Sequence, residues 1–460
     1  MTDEPTTSAA VSEDDTTAAI PPPAYFLSLT VQNFRCFGNE PQTLDLSDGN
    51  GRPAQWTILL GENGTGKTTL LQSVAALQPV QDSEREQEYG LHPRQFSEYR
   101  SFLFTRLQSQ AEAVFHAEVG SFDEAPDKQK VGFTVLGGNG IARTSQRDYV
   151  PIGCFSENLC VGYGANRRMS NRALSESRSD DSCLTLFESN AELLNAEDWL
   201  AQNDYAARLA NGDQHNQAKH RLESIKTLLM EILPDVSDFR FTVSDTRAMT
   251  PQVEAKTPYG WVRVRDLSLG YQAALTWMVD FASRLFERYP NSENPLAEPA
   301  ICLVDEIDLH LHPRWQRQLM ETLTRTFPKT QFIVTAHSPL IVQAAPNANL
   351  ALLRREGDHV VIENDVDYIR NWRVDQILTS DLFLNTAVHA PEVEQLLTER
   401  TELMSKPQLT PQDRERIAEL DRQLGDLPTA TAPEDREAMD IIRRAAALLR
   451  PKVEETVNQK

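Results

Sequence analysis

The stretch Gly61-Glu62-Asn63-Gly64-Thr65-Gly66-Lys67-Thr68 constrains this chain more than any other. An apolar run, Trp56-Thr57-Ile58-Leu59-Leu60, precedes it, and Thr69-Leu70-Leu71-Gln72-Ser73-Val74-Ala75-Ala76-Leu77 follows. That is the strand, glycine loop and helix order that a phosphate-binding loop requires. Glycines let the backbone turn its N–H groups inward onto a phosphate. The helix start behind them adds unpaired donors and a positive dipole end. Lys67 supplies a point charge for the β- and γ-phosphates, and the Thr68 hydroxyl is spaced to ligate Mg2+. The plainer reading is a glycine-rich turn before an ordinary helix. It is set aside because every position of the pattern matches in the right context. The sequence predicts a nucleoside-triphosphate site.

At 460 residues the chain is long enough for about two to four domains. No apolar run is long enough to span a membrane, so no membrane partner is expected. Residues 1–24 are acidic, rich in Thr, Ala and Ser, and end in a proline run. They read as a disordered tail rather than a secretory signal. The five cysteines show no paired metal-ligand spacing, which fits a reducing cytoplasm. A net charge of −22 repels polyanions, and non-specific DNA binding depends on neutralising phosphate. A DNA contact would therefore need a local basic face. The one visible concentration is Asn166-Arg167-Arg168-Met169-Ser170-Asn171-Arg172, with Arg178 nearby.

Alternation of apolar and polar residues predicts an early strand over 25–37, with Leu44-Asp45-Leu46 as its partner. After the loop helix, residues 80–100 are polar and read as a surface excursion. Strands are expected at 114–119, 131–135, 151–155 and 159–164. Helical spacing of Leu222, Ile225, Leu228, Leu229 and Ile232 predicts a helix that Pro234 ends. Further strands are expected at 239–243 and in a hairpin turned by Pro258-Tyr259-Gly260. A helix over about 271–289, the strand Ala300–Val304, a helix over about 313–327 and the strand 332–335 give a β–α–β rhythm. A hairpin turns at Glu356-Gly357-Asp358. Helices then start at Thr410-Pro411-Gln412-Asp413 and Ala432-Pro433-Glu434-Asp435.

A second chemical motif is Ile301-Cys302-Leu303-Val304-Asp305-Glu306. A buried strand there delivers two acids to the crevice at the strand ends of an α/β sheet. Asp305 can hold Mg2+, and Glu306 can polarise the attacking water. A third motif, Leu267-Ser268-Leu269-Gly270-Tyr271-Gln272, precedes a helix. Alone it is equally explained by a serine cap. The fourth is Thr335-Ala336-His337-Ser338-Pro339, after an apolar strand.

With these four in order, the chain resembles the ABC-type ATPase heads of the SMC/RecF class. It stands close to the stand-alone ATPases related to the overcoming-lysogenisation-defect (OLD) proteins. The likeness also rests on Leu29-Thr30-Val31-Gln32-Asn33-Phe34-Arg35-Cys36-Phe37 and on Asp305-Glu306-Ile307-Asp308-Leu309-His310-Leu311-His312-Pro313. It covers roughly 25–164 and 236–370. It implies a P-loop head with a mixed α/β sheet, binding ATP and Mg2+. Gly61 to Thr68, with Thr69, form Walker A; Asp305 and Glu306 form Walker B. Asp308 lies in the D-loop, and His337 is the switch histidine sensing the γ-phosphate. Ser268 and Gly270 contact ATP held by another subunit. Lys67, Glu306 and His337 are thus the expected catalytic residues, and Thr68 and Asp305 the metal ligands. The signature loop departs from the family at Leu269, where a second glycine is usual, and no Q-loop glutamine stands out, Gln95 being a weak candidate. Arg35 is expected at the nucleotide or the sheet edge, and Arg167 facing a partner subunit.

The expected division is a tail (1–24), a head lobe with Walker A (25–164), a helical insert (165–235), a second head lobe (236–372) and a C-terminal helical region (373–460). The insert is too short for an SMC arm. The expected protein is a cytoplasmic ATPase, a homodimer or higher oligomer sandwiching ATP. It serves DNA-directed defence or repair with an effector nuclease as partner. A RecF-like DNA clamp or loader is the alternative, and a self-contained OLD-type nuclease a further one. Glu363, Asp365 and Asp367 spell a nuclease motif, but in one short polar segment that reads as a solvated turn. Ile441, Ile442, Ala445, Leu448 and Leu449 mark an apolar face that packs on its own head or receives a partner.

Overall fold

Strand β3 (Trp56–Gly61) is apolar on both faces, and Trp56 to Leu60 are all buried. Strands that read as continuous apolar runs belong to parallel sheets covered on both sides. In the computed structural model of the chain, β3 lies inside a six-stranded sheet with helices on its faces. The structure describes residues 22–77, 112–122, 129–136, 143–145, 158–174, 181–209, 212–233, 235–243, 251–364, 366, 372, 376–377, 391–406 and 409–424. The chain divides into two units, 1–367 and 368–460, each taken by itself below.

The order of the central sheet is β14-β13-β3-β12-β11-β7. Here β7 is Leu159–Tyr163, β11 Ala300–Val304, β12 Thr330–Thr335, β13 Asn349–Glu356 and β14 His359–Glu363. All neighbours pair in parallel except β13 with β14, an antiparallel hairpin at one edge. One strand, β12, therefore separates the phosphate-loop strand from the Asp305-Glu306 strand. The C-terminal ends of β3, β12 and β11 open into one crevice, the usual ligand position in such sheets.

A second, antiparallel sheet runs β2-β1-β4-β5-β6, with β1 at Tyr25–Gln32, β2 at Gln42–Asp45, β4 at Glu112–Gly120, β5 at Gln129–Leu136 and β6 at Arg143–Ser145. Helix α1 (Lys67–Ala76) is buried along almost its whole length. It shares one core cluster with β1 and β4 (Leu29, Phe115), with Phe34 in the turn after β1, and with the central sheet (Leu59, Leu303, Ile333). Gln331 stitches the two sheets together. Its fully buried amide accepts from Phe26 N at 3.0 Å and donates to Phe26 O at 2.7 Å, standing in for a strand partner.

The insert region carries a short helix α2 (Leu184–Phe187), then α3 (Ala196–Leu209) and α4 (Asp213–Ile232). A third sheet of β8 (Phe239–Val243), β9 (Pro251–Thr257) and β10 (Gly260–Arg263) follows. Helix α5 (Leu269–Arg288) puts Phe281 against Phe332 of β12, centroids 6.3 Å apart. Tyr163 of β7 donates to Asp280 Oδ2 at 2.8 Å, which also accepts from Arg284 at 2.8 Å. Helix α6 (Pro313–Thr326) receives the Trp56 indole N–H on Thr324 Oγ1 at 2.9 Å, and α7 is Pro339–Ala344.

In the second unit, α8 (Pro391–Met404) and α9 (Pro411–Leu424) form an antiparallel helix pair. Arg416 grips Glu399 with two hydrogen bonds of 2.7 Å, and Arg400 reaches Asp421 at 2.7 Å. Thr410 and Asp413 cap α9 reciprocally.

One strand differs from expectation. β1 ends at Gln32, not at 37, because Asn33 and Arg35 turn the chain with φ of 54° and 52°. Several expectations lie outside the described residues: the tail up to residue 21, the 80–100 stretch with Gln95, the strand at 151–155, Arg178 and Pro234. So do Asp365, Asp367, the helix starting at 432–435 and the apolar positions from Ile441 to Leu449.

Candidate nucleotide site

The crevice holds a cavity of about 490 Å³ lined by Arg35, Cys36, Asn63, Gly64, Gly66, Lys67, Thr68, Thr69, Asp305, Glu306 and His337. Three of the four sequence motifs thus meet in one place. Gly66 is the N-cap of α1, with φ of 88° and no side-chain cap on the helix. Only glycine fits there: a Cβ would lie 2.5 Å from Cys36 Sγ. The first N–H groups of α1 are left for an anion.

Lys67 Nζ donates to Gly61 O and Glu62 O, both at 2.8 Å. Burial pulls its pKa below the usual lysine value, opposed chiefly by Asp305 and then by Glu306, Asp308 and Glu62. Thr68 Oγ1 donates to Asp305 Oδ2 at 2.8 Å, and Thr335 Oγ1 donates to Asp305 Oδ1 at 2.7 Å. The same Thr335 oxygen accepts from Glu306 N at 2.6 Å. Glu306 takes a left-handed backbone, φ 48°, unusual for a residue with a side chain. His337 is exposed at the cavity rim, and its N–H donates to Asp308 Oδ2 at 3.0 Å. Arg35 Nη1 reaches Thr69 Oγ1 at 3.3 Å and Gln72 Oε1 at 3.2 Å, on the first turns of α1.

The residues suit a nucleotide with its metal. No group of three or more His, Cys, Asp or Glu side chains able to hold a metal exists among the described residues. A hydroxyl and one carboxylate side by side instead match Mg2+ held partly by phosphate oxygens and water.

The signature motif stands elsewhere. Ser268 and Gly270 are not among the residues lining the cavity. Ser268 occupies the N-cap of α5, yet its hydroxyl makes no cap bond and is exposed, so helix capping does not account for it. Ser338, by contrast, accepts from Leu340 N at the start of α7. Gly270 is packed against the D-loop, where a Cβ would lie 2.2 Å from His310 O. Glu62 and Thr65 complete the loop: Thr65 is buried and donates to Glu62 O at 2.8 Å. Glu363 ends the edge strand β14.

Arg167 corrects an expectation. It does not face outward to a partner: its side chain is buried, donating to Asp305 O at 3.3 Å and Glu306 O at 2.7 Å. Burial lowers its pKa to about 10, opposed mainly by Asp305 and then by Asp308 and Glu306. Arg167 and Thr335 are the site residues whose roles the sequence hid. Their signal was positional, since both follow or close a buried strand of the parallel sheet, where the crevice must be.

Comparison with known proteins agrees with this geometry. Residues 165–343 match the family model described as "AAA domain, putative AbiEii toxin, Type IV TA system", and 28–77 match an "AAA domain" model. The Septu protein PtuA of Bacillus mycoides (strain KBAB4) is 26% identical over 413 residues, 86% of this chain and 50% of that protein. The Retron Ec83 probable ATPase of Escherichia coli is 46% identical over 91 residues, 20% of this chain and 17% of that protein. The chain thus spans half or less of the length of these relatives. The solved SMC head bound to the C-winged helix domain of ScpA aligns over 74% of this chain and 97% of its own at 16% identity. Its TM-score of 0.44 is too low to bear on function. With the phosphate loop, Asp305-Glu306 and His337 in one crevice inside two AAA-domain matches, the chain is an ATPase with AAA-type domain sequence.

Proposed function

We propose that this ATPase is Mg2+-dependent, sandwiches ATP between two copies of itself, and drives DNA-directed defence or repair through a nuclease partner. The observation that carries the reading is the division of the motifs. Lys67, Thr68, Asp305, Glu306 and His337 surround one cavity, while Ser268 stands exposed outside it with an unused hydroxyl. A signature motif that cannot serve its own crevice is suited to another copy's.

In this reading the α1 N-terminus and the Lys67 ammonium bind the phosphates. Thr68 Oγ1 and Asp305 would hold Mg2+, which would supply charge neutralisation to the bound phosphates. Glu306 takes the proton of the attacking water, and His337 donates towards the γ-phosphate. The defence or repair setting is supported by the Septu and retron relatives, and only by them.

The test separates binding from turnover. Lys67→Ala should abolish ATP binding. Glu306→Gln should bind ATP like the wild type but hydrolyse it about 10²–10⁴-fold more slowly. Equal hydrolysis by Glu306→Gln and wild type sinks the assignment.

A further inference from the structure

The least expected group behind the crevice wall is the Arg167 guanidinium. It enters just after β7, the strand beside β11, and the residue is only 6% exposed. Taking a cation out of water is costly unless charge or hydrogen bonds compensate. Arg167 forms no ion pair with a carboxylate among the described residues, and its Nε has no partner. The two terminal nitrogens are spent on consecutive carbonyls, Asp305 O and Glu306 O. Those are the peptide groups on either side of the left-handed turn at Glu306.

The rest of that turn is fixed from the opposite side. Thr335 Oγ1 accepts from Glu306 N at 2.6 Å, and Thr335 O accepts from Ile307 N at 3.0 Å. The backbone of Glu306 is therefore held between β12 and Arg167, and the direction of its carboxylate is set by that grip. A lysine could not reproduce it, because an ammonium is a point donor whereas guanidinium is a planar fork.

We propose that Arg167 is a positioning residue: by clamping the Asp305 and Glu306 carbonyls it holds the left-handed turn that aims the Glu306 carboxylate at the water it activates. This rests on the assignment of Glu306 as general base. A displacement of about 1 Å at a catalytic group costs on the order of 10²-fold in rate.

The experiment compares Arg167→Lys, Glu306→Gln and the double variant in the full chain, with Arg167→Gln as a second clamp variant. Thermal unfolding identifies the folded proteins. Arg167→Lys should bind ATP within about threefold of wild type while kcat falls about 10²-fold, and bound ATP should persist unhydrolysed. Adding it to Glu306→Gln should cost nothing further, since a base already removed cannot be misaimed. If Arg167→Lys and Arg167→Gln fold and turn over ATP like wild type, the inference is wrong. It is equally wrong if the two losses multiply in the double variant, or if ATP affinity falls as much as kcat. Wild-type hydrolysis by Glu306→Gln would instead overturn the underlying assignment of the base.

Discussion

Thr335 closes β12 with a hydroxyl where the neighbouring positions Ile333 and Val334 are apolar, and that one oxygen serves two partners. It donates to Asp305 Oδ1 and accepts from Glu306 N, so the proposed metal ligand and the proposed base share one anchor. Thr335→Val keeps the shape and removes both bonds. The Glu306 N–H and one Asp305 oxygen then lose their partner in a buried setting, at about 1–3 kcal/mol for an unsatisfied group. Denaturant unfolding should show that loss, and ATPase assays should need more Mg2+ for half-maximal rate. Thr335→Ser retains the hydroxyl and should restore the Mg2+ requirement. An unchanged Mg2+ profile in the valine variant would separate Thr335 from the metal site.

At the scale of elements, the two sheets share one apolar core, and a polar link through Gln331 runs beside it. Phe26 N–H and C=O are satisfied by the Gln331 side chain rather than by a strand, inside a core where water is excluded. Gln331→Leu should leave both backbone groups unpaired, costing about 1–3 kcal/mol for each. Urea unfolding monitored by tryptophan fluorescence checks this, and a midpoint equal to wild type would refute it. The strands on either side of this join were legible in the sequence. Ala300–Val304 and Phe332–Val334 are apolar throughout, and Trp56–Leu60 is so but for Thr57, because both sheet faces are covered, a pattern with few alternatives. Gln331 itself was not legible, since a buried amide inside an apolar strand signals a partner only once β1 is known to lie beside it. The same holds for Arg167, whose neighbours Asp305 and Glu306 are 138 and 139 residues away. A local basic cluster invites the reading of a surface; the parallel pairing of β7 with β11 places one of its arginines inside. The phosphate loop needed no such long-range knowledge, because strand, loop and helix are contiguous.

For the molecule as a whole, a net charge of −22 and the inward turn of Arg167 leave little basic surface in the described residues around 166–172, where Arg168 and Arg172 remain exposed. In the proposed sandwich, recognition between two copies of the chain would rest instead on the start of α5. Leu269 is 68% exposed beside the exposed Ser268, and the buried Gly270 anchors that helix end on the D-loop at His310. Two residues before His310, Asp308 accepts from the His337 N–H at the cavity rim. A contact made by the α5 terminus is thus connected through the D-loop to the rim of the chain's own crevice. Ser268→Arg introduces bulk and charge at that terminus, at a residue that does not line the cavity. ATP binding, followed by fluorescence of a labelled nucleotide, should remain within about threefold of wild type, under 1 kcal/mol. Dimer formation should be read by light scattering in the Glu306→Gln background, where ATP persists. The parent should shift to twice its mass on adding ATP and Mg2+, and the Ser268→Arg derivative should not. Chelating Mg2+ should return the parent to its starting mass. A parent that never shifts would refute the sandwich itself, whereas a Ser268→Arg derivative that shifts normally would leave the dimer standing and remove Ser268 from its interface.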